Sequence, residues 1–162
     1  MSGDRINIHA GCVVLAAAAR ALGAPADAGV LLLGESGEGK SDLALRLIAM
    51  GAELVADDRC ELFVTSEQLR AAAPRALAGM IEVRGVGIVR VAFRADARIA
   101  LAVRLSAPAT ICRLPEPAIY RPPPPLTVPE QNLPPEILLC AFEASAPAKI
   151  LAAVAETGLR PR

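Results

Sequence analysis

Residues 34–41 read GESGEGKS and match GxxxxGK[ST], the pattern of a phosphate-binding loop. An apolar run over 30–33 comes directly before the pattern, and a segment with apolar residues at helical spacing follows it over 41–50. A buried strand, a glycine-rich loop and a helix in this order are the context in which the pattern binds phosphate. The sequence therefore predicts a strand over 30–33 and a helix over 41–50, which Gly51 ends in the left-handed conformation.

The residue types in this loop suit the binding of a triphosphate and its magnesium ion. Glycines let the backbone curl so that successive N–H groups point at phosphate oxygens, and the helix that follows adds the positive end of its dipole. Lys40 can reach the β- and γ-phosphates, and the hydroxyl of Ser41 can coordinate Mg²⁺. The alternative is a glycine-rich turn that matches by chance, which the flanking strand and helix disfavour. The candidate nucleotide-binding residues of the loop are Gly34, Glu35, Ser36, Gly37, Glu38, Gly39, Lys40 and Ser41.

The composition narrows the class of protein. A chain of 162 residues suits a single domain over 1–162, and 17 basic against 17 acidic residues leave no net charge to attract nucleic acid or an anionic membrane. With no tryptophan and one tyrosine, a base-stacking surface for single-stranded nucleic acid is not expected. The four cysteines are scattered singly, which favours reduced thiols over a zinc site. Because no stretch has the features of a signal peptide or a membrane span, we expect a cytoplasmic protein with neither nucleic acid nor membrane as a partner.

Most of the remaining segments have the character of strands. Apolar and β-branched residues predict a first strand or hairpin over 6–16, and further strands over 53–56, 60–65, 80–83, 88–93 and 99–105. The last of these is expected to be a half-buried strand whose inward face carries Ile99, Leu101, Val103 and Leu105.

The other segments read as connections or helices. Residues 17–28 and 71–78 are expected to be irregular, and the proline-rich section 115–135 is expected to be an extended loop. A C-terminal helix is predicted over 137–144, with Pro147 kinking or splitting it before a last helical stretch. This order predicts an α/β fold with a strand-rich sheet rather than the regular alternation of a doubly wound sheet.

Two adjacent carboxylates, Asp57 and Asp58, follow the predicted strand 53–56. Neighbouring charges are costly in a dry site unless a cation or a proton offsets their repulsion. Beside a bound triphosphate, one carboxylate could coordinate Mg²⁺ while the other accepts the proton of an attacking hydroxyl. Judged alone, the segment is more typical of a polar Asp-Asp-Arg turn between two strands.

In combination with further motifs, these segments resemble the catalytic domain of the HPr kinase/phosphorylase family, bifunctional enzymes of bacterial sugar-transport regulation. The family has a loop like GDSGxGKSE, then LVADD and EIRGxGI, and this chain reads GESGEGKSD over 34–42, LVADD over 54–58 and EVRGVGI over 82–88. Three weaker similarities accompany these motifs. The family's His-Gly element resembles His9-Ala10-Gly11, in which one residue is inserted, its DRL element resembles residues 112–114, and its TVP element matches residues 127–129. The phosphate loop alone occurs in many proteins, but the loop, the acidic pair and the Glu-x-Arg-Gly-x-Gly segment together are specific to this family.

The resemblance implies a strand-rich core that carries the phosphate loop and is similar to the fold of phosphoenolpyruvate carboxykinase. It implies an ATP- and Mg²⁺-dependent kinase that phosphorylates a serine of HPr, the small carrier protein of the phosphotransferase system. In the family the same site also runs the reverse reaction with inorganic phosphate, giving pyrophosphate.

The resemblance also implies roles for single residues, by position. Asp57 would be the catalytic base for the serine and the acid in the reverse direction, and Asp58 would assist with the metal. His9 would tune or orient Asp57. Glu82 would lie in the metal and phosphate region, where Arg84 would hold it or contact phosphate.

Each of these residues also has a purely structural interpretation. A single histidine such as His9 is more often an ordinary core or surface residue. Glu82 and Arg84, two apart on a strand, could form a simple ion pair. Gly85 and Gly87 could have no role beyond forming a tight turn. The proline run is more often a spacer than a ligand for another domain.

Three differences separate the chain from the family pattern. The family's additional N-terminal domain is not expected here, so the chain looks like a short form of the family. Its oligomeric state is left open, with a homo-oligomer as one possibility. Gln131 falls where the family has an arginine, and because glutamine cannot neutralise phosphate we expect the reverse reaction to be weak. Glu38 stands where the family has an apolar residue and would repel a triphosphate unless it points to solvent.

Three functions follow from the sequence, in decreasing order of support. The first is a serine kinase of HPr or an HPr-like carrier, acting by positioning and charge neutralisation. The second is a nucleotide-binding regulatory protein with little or no phosphotransfer. The third is a small-metabolite kinase or NTPase, against which the segment 82–87 and the strand-rich pattern argue.

Overall fold

A computed structural model describes residues 3–21, 23 and 25–159. Within them lie ten strands and three α-helices, besides short 3₁₀ turns. The strands are β1 (Arg5–Val14), β2 (Ala28–Leu33), β3 (Glu53–Ala56), β4 (Arg59–Thr65), β5 (Gln68–Ala72), β6 (Met80–Val83), β7 (Gly87–Arg90), β8 (Asp96–Leu105), β9 (Ala118–Ile119) and β10 (Pro135–Leu139). The helices are α1 (Ala16–Ala21), α2 (Lys40–Ala49) and α3 (Ala146–Leu159).

Eight of these strands form one mixed sheet. Its hydrogen-bonded order is β2-β1-β4-β5-β8-β10-β9, with β3 beside β1, and β8 also pairs with β2. Strand β2 runs parallel to β8, and β8 runs parallel to β10, whereas the other pairs in the sheet are antiparallel. Strands β6 and β7 form a separate antiparallel hairpin. The carboxyl ends of β2, β8 and β10 therefore lie along one edge.

The main sheet is buried on both faces. One cluster joins Val30 and Leu32 of β2 to Leu43 and Leu47 of α2 and to Ile150 of α3. A second cluster on the opposite face contains Leu31 together with residues of β1, β4, β5 and β8. All six residues of β2 are buried, which explains its unbroken apolar run, because a strand covered on both faces does not need polar alternation.

Several sequence expectations are confirmed. The sheet is strand-rich and mixed, and β2, β3, β4 and β6 occupy the predicted segments to within two residues. The first segment is a single strand, β1. Helix α2 spans Lys40–Ala49, and Gly51 follows it with φ 99°, the left-handed conformation expected at this helix end.

Three expectations near the ends of elements are wrong. Residues 17–21 of the supposed connection, together with Ala16 from the predicted first strand, form α1, whose residues 17–19 are alanines with high helix propensity. Leu22 and Ala24 lie outside the described residues. The segment predicted to be irregular, 71–78, begins inside β5, because Ala71 and Ala72 pair with both β4 and β8. Strand β7 ends at Arg90, so the predicted strand 88–93 is too long.

The predicted helix over 137–144 is also wrong. Residues 135–139 form β10 instead, because an apolar run of this length can add to the sheet beside β8, and proline is tolerated as the first residue of a strand. Pro147 does not kink a helix. It lies in the first turn of α3, where a missing N–H costs nothing.

The single inward face predicted for 99–105 is wrong for Ile99. Gly29 pairs with Ile99, but the next residue, Val30, pairs with Leu101, so Ala100 is an extra residue that shifts the register. Ile99 therefore packs in the opposite cluster from Leu101, and β8 is buried along most of its length instead of on one face.

Candidate active site

The loop over 34–41 leaves the carboxyl end of β2 and leads directly into α2. Gly39 is the residue before the helix and has φ 93°, a conformation that favours glycine. A Cβ built on Gly39 would lie 2.9 Å from the Cβ of Ala141 and 3.0 Å from the ring of Phe142. The loop therefore contacts the segment that follows β10, and only a glycine allows that contact.

Lys40 folds back over the loop that precedes it. Its Nζ donates to the carbonyl oxygens of Gly34 at 2.6 Å and Glu35 at 2.8 Å, and the residue is only 7% exposed. Burial lowers the pKa of Lys40, and the nearby carboxylates, Asp58 first among them, act in the opposite direction. The ammonium group is thus held at the loop while facing several negative charges.

Glu38 supports the loop from its other side. Its Oε2 accepts the N–H of Glu35 at 2.9 Å and would be 2.6 Å from a Cβ on Gly34. The side chain faces a second cavity of about 430 Å³, shared with Arg104 and Leu105, and it is not among the lining residues of the main cleft. The carboxylate thus faces a different cavity from the one that Lys40 and Ser41 line.

Asp57, at the end of β3, is bonded through both carboxylate oxygens. Ser41 donates its hydroxyl to Oδ1 at 2.7 Å, and the backbone N–H of Glu82 donates to Oδ2 at 3.1 Å. The first bond ties the start of α2 to the acidic pair, and the second ties the β6–β7 hairpin to it. A hydroxyl and a carboxylate oxygen this close are a suitable partial ligand set for Mg²⁺, which takes its other ligands from phosphates and water. No group of three or more histidine, cysteine or acidic residues suited to a metal occurs among the described residues.

Asp58 faces His9 instead of the loop serine. The Nδ1 atom of His9 lies 3.1 Å from Oδ1 of Asp58 and also 3.1 Å from its backbone oxygen. Asp58 has φ 64°, and its side chain is 65% exposed. The left-handed turn therefore separates the two carboxylates, so that Asp57 contacts Ser41 while Asp58 contacts His9 from β1.

These groups share one open cleft of about 470 Å³. The sequence-predicted residues that line it are His9, Ser36, Gly37, Gly39, Lys40, Ser41, Asp57, Asp58, Glu82 and Arg84. Glu82 and Arg84 are exposed, and no ion pair links them within the described part of the chain. Glu82 reaches Asp57 through its backbone and not through its carboxylate.

Other residues of interest lie elsewhere or were missed. Gln131, in a short 3₁₀ turn, is exposed and does not line the cleft. The sequence reasoning missed Leu45 and Phe142, which do line it. Leu45 could have been found as the residue one helical turn after Ser41. Phe142 gave no usable signal, because its segment was interpreted as a helix.

Comparison with known proteins identifies the family to which the chain belongs. The profile of the HPr Serine kinase C-terminal domain matches residues 24–110, which is more than half of the chain. The chain belongs to this family. Among solved structures, it is similar to the Hpr(Ser) kinase/phosphatase from Coxiella burnetii, with a TM-score of 0.70 and 26% identity over 93% of this chain and 95% of that one.

Curated relatives match over shorter segments. The HPr kinase/phosphorylase of Lacticaseibacillus casei (strain BL23) is 44% identical over 85 residues, which are 48% of this chain and 27% of that protein. The HPr kinase/phosphorylase of Pediococcus pentosaceus is 52% identical over 64 residues, or 39% of this chain and 20% of that protein. The matched segments thus span about a quarter of the length of these relatives. Among the described residues, no helix is long and apolar enough to cross a bilayer.

Proposed function

We propose that this chain is an ATP- and Mg²⁺-dependent serine kinase that phosphorylates HPr or an HPr-like carrier in the cytoplasm. The observation that carries the proposal is the 2.7 Å bond between the Ser41 hydroxyl and Asp57, beside Lys40 in one cleft. In phosphate-loop enzymes a loop serine and an acidic residue at a neighbouring strand end hold the magnesium ion of the nucleotide. The fold we propose accordingly is a phosphate-loop core similar to that of phosphoenolpyruvate carboxykinase.

The loop would bind the triphosphate. Its N–H groups and the amino end of α2 supply partial positive charge, and Lys40 supplies a full one. Mg²⁺ bound to Ser41 and Asp57 would neutralise charge on the transferred phosphoryl group. Glu82 remains a candidate for a water-mediated contact to the ion, and Arg84, exposed at the cleft, is a candidate for contact with phosphate.

The geometry supports a division of roles between the aspartates that differs from the one expected by position. Both oxygens of Asp57 are already bonded, to Ser41 and to the Glu82 N–H, which suits a metal-holding residue. Asp58 is the exposed carboxylate, and it would accept the proton of the substrate hydroxyl as that oxygen attacks the γ-phosphorus and ADP leaves. His9, in contact with Asp58, would orient it.

Transfer of labelled γ-phosphate from ATP to purified HPr tests the proposal. We expect Mg²⁺-dependent labelling of one serine, and loss of labelling in Lys40→Ala together with weaker ATP binding. Asp57→Asn should raise the Mg²⁺ concentration needed for activity, whereas Asp58→Asn should lower the maximal rate with little change in Mg²⁺ dependence. Lys149→Ala removes the chain's other lysine, on α3, and is the charge-matched control.

The outcomes separate the competing functions. If ATP and HPr both bind but no label is transferred at any Mg²⁺ concentration, the chain is a nucleotide-binding regulator and not a kinase. Labelling of a small metabolite but not of HPr would favour the third function. Phosphorolysis of phosphoserine-HPr should be weak, because neutral Gln131 replaces the family's arginine and does not line the cleft; abundant pyrophosphate would contradict that expectation. The state of assembly, which the sequence leaves open with a homo-oligomer as one possibility, is measured by sedimentation.

A further inference from the structure

Phe142 is a bulky apolar side chain exposed at a cleft that is lined mostly by polar residues. The residue is 66% exposed, and the chain has only three phenylalanines and no tryptophan. The ring lies against Gly39, and together with Leu45 it gives the cleft an apolar wall beside the residues that would hold phosphate. An aromatic ring that is exposed beside a phosphate site offers a flat apolar surface on which a planar group of the ligand can pack.

The position of Phe142 in the sheet is that of a ligand-binding segment. Strands β2, β8 and β10 are parallel neighbours, and the loop over 34–41 follows β2 while residues 140–145 follow β10. In sheets with parallel strands, ligands bind beyond the carboxyl ends of the strands. The segment after β10 is two strands away from the phosphate-binding segment, so one ligand can touch both.

The segment that carries Phe142 is tied to the helix that follows the loop. Arg46 on α2 donates to the backbone oxygens of Ala141 and, at 3.2 Å, of Glu143, and its Nε donates to Asp42 at 3.0 Å. Ala141 itself is 1% exposed. These bonds flank Phe142 on both sides in the sequence, so the backbone that carries its ring is held beside the loop before any ligand arrives.

We propose that Phe142, with Leu45, is the surface on which the purine base of the nucleotide stacks. The inference rests on the proposed nucleotide binding and adds the residue that recognises the base. A base offers a flat face of similar size to the ring, and base–aromatic stacking is tolerant of base identity. The site therefore favours ATP and GTP over CTP and UTP through stacking area, and it does not separate the two purines.

Paired ligands with and without a base test the stacking. Calorimetric titration of Phe142→Ala with ATP should show about tenfold weaker binding or more, while inorganic tripolyphosphate, which has no base, should bind as to the wild type. Phe142→Tyr keeps an aromatic face and should restore the affinity for ATP. Equal ATP affinity in wild type and Phe142→Ala, with tripolyphosphate bound, overturns the stacking but leaves the phosphate site standing. Failure of both ligands to bind the wild type overturns the proposed function itself.

A fluorescence measurement gives a second readout. Since the chain has no tryptophan, Phe142→Trp introduces a single reporter whose emission a stacked purine should quench. Phe93→Trp is the matched control, because Phe93 is also exposed but lies against Gly79 and does not line the cleft. We expect saturable quenching by ATP and none by tripolyphosphate in Phe142→Trp, and no saturable change in Phe93→Trp. Quenching by tripolyphosphate as strong as by ATP would contradict stacking.

Discussion

Alanine substitutions at two glycines of the same loop separate backbone strain from contact with the neighbouring segment. Gly37 and Gly39 have nearly the same φ, 87° and 93°. Nothing lies within 4 Å of a Cβ built on Gly37, whereas a Cβ on Gly39 would be 2.9 Å from that of Ala141 and 3.0 Å from the Phe142 ring. Both variants therefore carry the conformational cost, and only Gly39→Ala carries the overlap.

The expected magnitudes follow from that difference. A non-glycine residue in the left-handed conformation costs roughly 1 kcal/mol, so Gly37→Ala should lower the free energy of unfolding by about that amount. Overpacking typically costs a further 1–3 kcal/mol, so Gly39→Ala should lose about 2–4 kcal/mol. The Phe142 ring can rotate away, but the Cβ of Ala141 cannot move without its backbone, whose carbonyl oxygen accepts a bond from Arg46.

Urea unfolding without nucleotide, followed by circular dichroism, measures both variants. We expect the midpoint to fall for both, further for Gly39→Ala, with an unchanged m-value. In Gly39→Ala/Phe142→Ala, only the part of the cost due to the ring should be recovered. Destabilisation of the two single variants that agrees within about 0.5 kcal/mol would refute the contact between the loop and the segment after β10.

Two further predictions concern the thiols. Burial raises the pKa of Cys60 from 9.0 to about 12, so above pH 9 the unfolded chain loses this proton while the folded chain keeps it, and stability should fall by about 1.4 kcal/mol per pH unit from this group between pH 9 and 12. Urea midpoints against pH should show a smaller slope for Cys60→Ala; equal slopes would contradict the assignment. Native protein should react with a thiol reagent quickly at Cys112, which is exposed, and slowly at the buried Cys12, Cys60 and Cys140, whereas fast labelling of all four without denaturant would contradict the buried positions.

The parts of the fold that could be predicted from the sequence are those specified locally. Strand β2, its loop and α2 form one continuous pattern, and the glycine after the helix has a defined conformation, so their positions follow from neighbouring residues. Strand β10 could not be predicted in this way. Its residues Pro135–Leu139 become a strand because β8 offers a parallel edge more than 30 residues earlier in the chain, which no local pattern reveals.

The same distinction applies to the candidate site. The acidic pair and the loop could be predicted because each is a short motif. The fold brings them together, so that Ser41 of the loop donates a hydrogen bond to Asp57. Which aspartate contacts which partner could not be foreseen, because it depends on the left-handed turn at Asp58 and on the pairing of β1 with β4 that places His9 opposite Arg59. Phe142 was missed for the reason that β10 was missed, since its position depends on the strand before it.

The most direct test of the account is a crystal structure with Mn²⁺ and a non-hydrolysable ATP analogue, in which anomalous scattering locates the cation. The account predicts that the triphosphate lies within the loop over 34–41, with the cation about 2 Å from the Ser41 hydroxyl oxygen and bound to Asp57 directly or through one water. A cation bound away from both residues, or a triphosphate outside the loop, would contradict it.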